Sequence, residues 1–321
     1  KSCYSSKEKN SMSTNTLISC AQQQDAQGVF QKLQVSASER SNLISREGAQ
    51  AAHEAIKNDS DMILSILLEA GVVPTDIPVG SGRTLVYWSA KLNAPNSLRM
   101  LSDINPHTAF VCDTRGWTPI HSAAFNGHTQ ILKIILSNPH FDAAKHLGAT
   151  TNQGWTPLHL AAQKDKVEAV RLMVTAARDA GTNACATIIN HAANPAERTP
   201  LYTTVQVGNT EITRILCEIG SANVNLSTKE LWAPIHSAAY NGFAEIAQIL
   251  LLHGANPNVA EKAGWYPIHL AATRKHHKII DLLIFAGADF TVKSLNGKSA
   301  LEISKDQHYQ PAIDLLTIAV K

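Results

Sequence analysis

The sequence predicts an all-α protein, a solenoid of helix-turn-helix repeats joined by hairpin-like loops. The first observation is one string written several times, as GWTPIHSAA at 116–124, GWTPLHLAA at 154–162 and GWYPIHLAA at 264–272. A looser copy, LWAPIHSAA, occupies 231–239. The second observation is the regular spacing of these copies. An enzyme rarely needs several copies of one active-site loop, so the string indicates copies of one structural unit.

The prolines of these strings set the period. Pro234 follows Pro200 by 34 residues and Pro267 follows Pro234 by 33, while wider steps upstream leave room for two insertions. A period near 33 is typical of a helical repeat array, in which stacked neighbours complete a core that one repeat cannot bury alone. A chain of 321 residues can therefore form one elongated, curved solenoid rather than two globular domains.

Each repeat has the same internal order, which residues 232–259 illustrate. Pro234 begins a first helix, because a proline in the first turn costs no hydrogen bond. Asn241–Gly242 ends that helix, since glycine tolerates positive φ. A second helix follows, with apolar residues at helical spacing over 246–251, and Gly254 ends it. The pattern predicts two antiparallel helices and a hairpin-like turn in every repeat.

These features resemble the ankyrin repeat family. The resemblance rests on the Thr-Pro-Leu-His-like tetrapeptides at 118–121, 156–159, 233–236 and 266–269. The order of two helices in each repeat and the period of about 33 residues support it. The resemblance is clear over 83–321 and extends upstream through weaker copies.

Residues 1–13 are rich in Ser, Lys, Glu and Asn without periodicity, which predicts a disordered tail. The resemblance implies a single array over 14–321. The array has degenerate N-terminal repeats at 14–82, central repeats at 83–296 and a C-terminal cap at 297–321. Nine repeats are expected, near 14–45, 46–82, 83–115, 116–153, 154–196, 197–230, 231–263, 264–296 and 297–321. We number them one to nine in that order.

Two insertions interrupt the period, near 138–149 and 179–187. Insertions in such arrays are expected in loops, either as tolerated surface segments or on the binding side. Cys185 stands in the second insertion, where an exposed and reactive thiol is one expectation.

Composition excludes several function classes. The net charge is +2, which speaks against nucleic-acid binding, and no apolar run approaches the 18–20 or so residues that span a bilayer. Five cysteines at wide spacings, without a CxxC motif, favour a reducing, cytoplasmic compartment. We expect a monomer with no cofactor.

The histidines do not predict catalysis or a metal site. Five of them occupy one repeat position, where the family's side chain makes a hydrogen bond that ties neighbouring turns: His53, His121, His159, His236 and His269. The adjacent pair His276-His277 lacks a third ligand at zinc spacing. With its basic neighbours this pair forms either a solvated face or a docking site for an acidic partner.

The residue just before the Thr-Pro position is the sharper signal. Tryptophan fills it in four repeats and arginine or lysine in three others. In the family this position faces the groove lined by the first helices, as does the residue that follows the paired small residues. The predicted partner-binding residues are Trp117, Phe125, Trp155, Arg198, Trp232, Tyr240 and Trp265. The alternative is that the tryptophans only pack on the adjacent hairpin.

The main functional hypothesis is a non-catalytic protein-interaction module. It acts as a scaffold, adaptor or inhibitor and binds a protein through its concave groove and hairpin tips. The alternative is the substrate-recruiting portion of a larger enzyme, or of a bacterial effector delivered into the host-cell cytoplasm. Fold does not fix the partner, so the partner's identity stays open at this point.

Overall fold

The fold is described from a computed structural model of the chain. The structure describes residues 16–73, 81–193 and 195–319. The disordered tail predicted over 1–13 lies outside these residues.

Nine helix pairs follow one another along the described chain, which confirms the predicted all-α fold of helix-turn-helix repeats. The pairs are Leu17–Gln22 with Ala26–Leu33, Ala49–Lys57 with Asp61–Glu69, Leu85–Leu92 with Pro95–Ile104, Pro119–Asn126 with Thr129–Leu136, Pro157–Gln163 with Val167–Asp179, Pro200–Val207 with Thr210–Arg214 and its π-helical continuation Ile215–Ile219, Pro234–Asn241 with Ala244–Leu252, Pro267–Thr273 with His277–Phe285, and Ala300–Asp306 with Gln310–Ala319.

Five further helical segments of the described residues lie between the pairs. Ala37–Leu43 continues through a π-helical turn, Ile44–Gly48, into the first helix of the second repeat. Pro106–Phe110 is a 3₁₀ turn, and Ala143–Leu147 and Thr182–Ile189 are short α-helices. No β-strand occurs in the described residues, where the loops between repeats are hairpin-like turns.

The described residues form two compact parts. The N-terminal part runs to Ala123 and includes His128–Phe141, and the C-terminal part comprises Ala124–Gly127 and the chain from Asp142 onward. Within the C-terminal part, first helices pack on first helices of neighbouring repeats, and second helices pack on second helices. A single continuous array over 14–321 stays a prediction.

Small side chains let the first helices approach each other closely. The paired alanines of the repeated string are fully buried, as Ala238 and Ala239 show in the seventh repeat. Branched side chains of the second helix, such as Ile246 and Leu250, are buried as well and fill the space between helices. Truncating such a fully buried leucine typically costs about 2–5 kcal/mol of stability.

Both insertions are helical and packed rather than loop-like, which corrects the expectation of surface loops. Ala143–Leu147 and Thr182–Ile189 pack on each other and on the long helix Val167–Asp179. Ile188 and Ile189 are fully buried, because each insertion carries apolar residues that need cover.

Cys185 is buried in this insertion, so the expectation of an exposed, reactive thiol is wrong. Its Sγ lies 3.7 Å from the carbonyl oxygen of Gly220. Burial raises the pKa of the Cys185 thiol, while the charge of Arg178 has a weaker opposing effect. A thiol with a raised pKa carries little thiolate and is a poor nucleophile.

A polar side chain closes the hairpin before the first helix in the fifth, seventh and eighth repeats. Thr151, Thr228 and Glu261 each use a side-chain oxygen to accept the backbone N–H of the tryptophan four residues later. In all three hairpins the backbone N–H of the same polar residue donates to that tryptophan's carbonyl oxygen. These side chains are buried, so the bonds replace water at a site where an unpaired N–H would be costly.

The residue before each tryptophan has a left-handed backbone. Gly116, Gly154 and Gly264 adopt φ between 68° and 80°, which glycine tolerates without strain. Leu231 stands at the same place with a φ of 60°. A side chain with a Cβ is strained there, so the seventh repeat carries a local cost that the fourth, fifth and eighth repeats avoid.

Three of the five predicted histidine ties are shown by the structure, in the fifth, seventh and eighth repeats. The Nε2 of His159 lies 2.8 Å from the carbonyl oxygen of Arg198, in the hairpin of the next repeat. His236 and His269 make the same bond, each at 3.1 Å, to carbonyl oxygens in the loops that lead onward. Each of these rings is fully buried. The tie joins one repeat to the loop that follows it.

Burial holds these histidines neutral. It lowers the pKa of His159 to about 3, although the hydrogen bond to Arg198 opposes the shift. It also lowers the pKa of His236 to about 4. The Nδ1 of His159 lies 2.7 Å from the hydroxyl of Thr156, which donates to it when Nε2 carries the proton. The geometry therefore assigns the proton to Nε2, where it reaches the carbonyl oxygen.

We expect Leu231→Gly to stabilise the protein by about 1 kcal/mol, because it removes left-handed strain from a residue whose side chain is about half exposed. Urea unfolding measures the change. The reciprocal control is Gly297→Leu, where φ is 72° and a Cβ would meet no atom within 4 Å. We expect this control to be destabilised by a similar amount. Equal or lower stability of Leu231→Gly would contradict the assignment of strain.

We expect the protein to lose stability as the pH falls from 6.5 to 5. The folded pKa values of His159 and His236 lie far below that of an unfolded histidine, so only the unfolded chain takes up protons in this window. Each histidine should cost about 2 kcal/mol by pH 5. Unfolding free energies measured across this range test the expectation.

The matched variant for this titration is His159→Gln, which should reduce proton uptake on unfolding by about one near pH 5.5. An unchanged proton uptake in the variant would show that His159 does not titrate as inferred.

Candidate protein-interaction site

Each tryptophan of the repeated string packs on the histidine of its own repeat. The ring centroids are 5.6 Å apart for Trp155 and His159, and 5.8 Å apart for Trp232 and His236. Trp265 stands 6.0 Å from His269 in the same way. All of these tryptophans are partly buried. The indole packs on the histidine that makes the tie, and part of each tryptophan is exposed.

The seventh and eighth repeats bring aromatic and cationic side chains together. Trp232 and Tyr240 meet edge to face, with ring centroids 5.9 Å apart. The guanidinium carbon of Arg274 lies 3.9 Å from the ring centroid of Tyr240, and Arg274 also donates a hydrogen bond to the Tyr240 hydroxyl. Tyr240 is 38% exposed. This cluster has the composition of interface hot spots, which favour Trp, Tyr and Arg.

The other predicted residues are distributed over both compact parts. Trp117 lies in the N-terminal part, where the guanidinium carbon of Arg115 is 5.5 Å from its ring centroid. Phe125 lies in the C-terminal part, with the Nζ of Lys164 4.8 Å from its ring centroid. Among the described residues, no ring-to-ring contact joins Trp265 to another predicted site residue. The prediction of one surface running over all seven residues stays a prediction.

The sixth repeat departs from the tryptophan–histidine pairing. Arg198 and Tyr202 stand where other repeats have Trp and His, and the guanidinium carbon lies 5.9 Å from the tyrosine ring centroid. A cavity of about 470 Å³ opens beside this pair. Its lining comprises Pro195, Ala196, Arg198, Tyr202, Thr228, Lys229, Glu230 and Trp232. Two predicted residues, Arg198 and Trp232, therefore share one concave site.

Sequence reasoning missed Tyr202 and Lys229 as members of this site. The replacement of the repeat histidine by Tyr202 was visible in the sequence, and its pairing with an arginine at the tryptophan position was the available signal. Lys229 carries no comparable signal, because its place at the cavity depends on how the hairpin folds. The side chain of Lys229 is exposed, and its backbone N–H donates to the carbonyl oxygen of Ala196 at 3.0 Å.

Arg198 is incompletely satisfied in this cavity. Its Nη1 donates to the side-chain oxygen of Gln206 at 3.4 Å. Its Nε is buried and has no hydrogen-bond partner among the residues that the structure describes. The carboxylate of Glu230 is engaged elsewhere, 3.1 Å from the Nζ of Lys262. A buried guanidinium N–H without an acceptor is unfavourable.

The third repeat shows the same arginine–tyrosine pair with its acceptor in place. The guanidinium carbon of Arg83 lies 5.5 Å from the ring centroid of Tyr87, and its Nε donates to Asp113 at 3.3 Å. Asp113 also accepts from the backbone N–H groups of Arg115 and Trp117, each at 2.9 Å. Burial favours the neutral carboxyl, but these hydrogen bonds prevail and hold the pKa of Asp113 below its usual value.

Nothing in the described residues resembles a metal centre or a membrane span. No group of three or more His, Cys, Asp or Glu side chains is placed to hold a metal ion within 16–73, 81–193 and 195–319. None of the helices in the same ranges is both long and apolar enough to cross a bilayer.

Repeated helix pairs joined by short polar hairpins define a solenoid-type repeat protein. Comparison with family models agrees: one described as "Ankyrin repeats (3 copies)" matches residues 99–185 and 172–261, and one described as "Ankyrin repeats (many copies)" matches 245–284. The chain therefore belongs to the ankyrin repeat family. The fold expected from the repeated strings is confirmed.

One relative in Saccharomyces cerevisiae is the "Probable 26S proteasome regulatory subunit p28". It is 27% identical to this chain over 172 residues, which is 53% of this chain and 70% of the relative. This likeness, like the family, points to a role in protein–protein interaction.

We expect Asp113→Asn to destabilise the protein by about 2 kcal/mol, because it weakens the charged hydrogen bonds that the buried carboxylate accepts. The control is Asp103→Asn at an exposed position of the same compact part, which should change stability by less than about 0.5 kcal/mol. Denaturant unfolding of both variants tests the comparison. Equal effects would show that the Asp113 carboxylate contributes nothing special.

Proposed function

We propose that this chain is a non-catalytic protein-interaction module. The observation that carries the proposal is the concave site where Arg198, Tyr202 and Trp232 meet, with Tyr240 beside Trp232. Aromatic rings and an arginine in a partly enclosed site are the composition that dominates binding energy at protein interfaces. Phe125, Trp155 and Trp265 extend the proposed surface along the C-terminal part, and Trp117 is the proposed contact in the N-terminal part.

The module acts as a scaffold, adaptor or inhibitor that holds or covers a partner's surface. The histidine ties and closed hairpins support this role, because a framework held by buried hydrogen bonds loses little conformational entropy on binding. We place the partner in the groove formed by the first helices and hairpin tips.

The likeness to a proteasome regulatory subunit supports a partner within a large multi-subunit assembly. We propose the regulatory part of the proteasome, or an assembly of that kind, as the first place to look, and the cytoplasm as the compartment. The relative is similar over about half of this chain, so the shared repeats argue for a shared mode of binding. A substrate-recruiting role in a larger enzyme, or an origin as a bacterial effector, stays a prediction.

Partner capture tests the proposal. The natural chain and a Trp232→Ala/Tyr240→Ala variant are immobilised and exposed to a yeast lysate, and retained proteins are quantified by mass spectrometry. A control variant, Leu252→Ser/Phe285→Ser, removes two exposed apolar side chains that lie outside the proposed site. A cooperative melting curve is required of every chain.

The proposal predicts proteins that the natural chain and the control retain and the aromatic variant loses by about tenfold or more. Retention of the same proteins by all three chains would place binding elsewhere. Proteasome subunits among the lost proteins would support the assembly named above.

A further inference from the structure

Among the described residues, two repeats carry the same Arg–Tyr pair, but only one of these pairs has an acceptor for the Nε of the arginine. In the third repeat, Asp113 supplies a carboxylate to the Nε of Arg83. In the sixth repeat the Nε of Arg198 is the buried atom without a partner. The sixth repeat therefore lacks the carboxylate that the third repeat supplies.

The backbone hydrogen bonds of the two local structures correspond. The N–H of Asp113 donates to the carbonyl oxygen of Trp117 at 2.8 Å, and the N–H of Thr228 donates to that of Trp232 at 3.0 Å. Asp113 follows Arg83 by 30 residues, and Thr228 follows Arg198 by 30.

The link between hairpins corresponds as well. The backbone N–H of Thr114 donates to the carbonyl oxygen of Ser81 at 3.1 Å, and that of Lys229 donates to Ala196 at 3.0 Å. Each donor follows the hairpin's polar residue directly. Thr228 therefore occupies the place of Asp113.

Thr228 makes one of the hydrogen bonds that Asp113 makes and lacks another. The hydroxyl of Thr228 accepts the N–H of Trp232 at 3.3 Å, as the Asp113 carboxylate accepts that of Trp117. Threonine has no second oxygen to offer Arg198. Thr228 lines the cavity of about 470 Å³.

The cavity also has the charge and the walls that an acidic side chain requires. Arg198 and Lys229 contribute positive charge, while Glu230, which also lines the cavity, is paired with Lys262. Tyr202 and Trp232 supply apolar walls for methylene groups. The guanidinium plane presents N–H donors along the edge that contains Nε, which is a geometry that carboxylates accept in pairs.

We propose that this cavity binds an aspartate or glutamate side chain of a partner protein, whose carboxylate pairs with the guanidinium of Arg198 as the carboxylate of Asp113 pairs with that of Arg83. The inference rests on the proposed function and adds the chemistry of the partner. Binding supplies in trans the carboxylate that the third repeat supplies in cis.

The test uses a display library of random 12-residue peptides as the probe, selected against the whole natural chain. Selected peptides are titrated by calorimetry, each beside a copy with Asp→Asn or Glu→Gln. Three variants of the chain are compared: Arg198→Gln, Thr228→Asp and, as a control, Arg178→Gln at an exposed position away from the cavity. Thr228→Asn serves as the uncharged counterpart of Thr228→Asp.

We expect the selected peptides to contain an acidic residue and to lose about tenfold or more in affinity when it is neutralised. Arg198→Gln should lose the same factor, and Arg178→Gln should keep the natural affinity. Thr228→Asp should melt at a higher temperature than Thr228→Asn, because Arg198 is then paired with a carboxylate of the chain itself. For the same reason, Thr228→Asp should bind acidic peptides about tenfold more weakly than Thr228→Asn does.

Three results would overturn the inference: no peptide enriched, peptides without an acidic preference, or an acidic preference that Arg198→Gln leaves intact. The lysate experiment separates this failure from that of the proposed function. If the aromatic variant still loses its proteins while Arg198 proves irrelevant, the interaction surface stands and only the carboxylate pocket fails.

Discussion

A buried hydrogen bond from a histidine ring to a carbonyl oxygen in the following loop organises the C-terminal part of this protein. His159, His236 and His269 make it in turn, and desolvation keeps each ring in the neutral form that can both accept at Nδ1 and donate at Nε2. A solenoid has few long-range contacts, so its stability depends on the interfaces between neighbouring repeats. These ties fix the loops at those interfaces, and the loops in turn carry the hairpins.

The hairpins position the tryptophans, and each tryptophan of the C-terminal part packs on the histidine that makes the hydrogen bond to the following loop. Trp155 and Trp232 each donate a backbone N–H to a buried hairpin oxygen and lay an indole ring against the histidine of the same repeat. The same residue is thus structural on one side and available on the other. The two interpretations of the tryptophans, packing and partner contact, need not compete, since half-buried rings can serve both.

Replacement of the Trp–His pair by an Arg–Tyr pair introduces a charged group that the repeats with tryptophan lack at this position. Where Arg198 and Tyr202 replace the Trp–His pair, a cavity opens beside them. Where Arg83 and Tyr87 do so, Asp113 accepts the Nε of the arginine. The Nε of the arginine has an acceptor where the hairpin residue is Asp113, and it has none among the described residues where that residue is Thr228. Repeat proteins can acquire specific sites in this way without changing the framework.

The sequence by itself determined the helix pairs, their period, the histidine ties and the positions of the tryptophans, because each depends on a residue's place in a repeated local pattern. Tertiary structure alone decided that the insertions are helical, that Cys185 is buried, and that Arg198 faces a cavity. Periodicity identifies equivalent positions. It does not report whether neighbours from other elements fill the space around a side chain or supply its hydrogen-bond acceptor, and those two quantities decide burial, reactivity and binding.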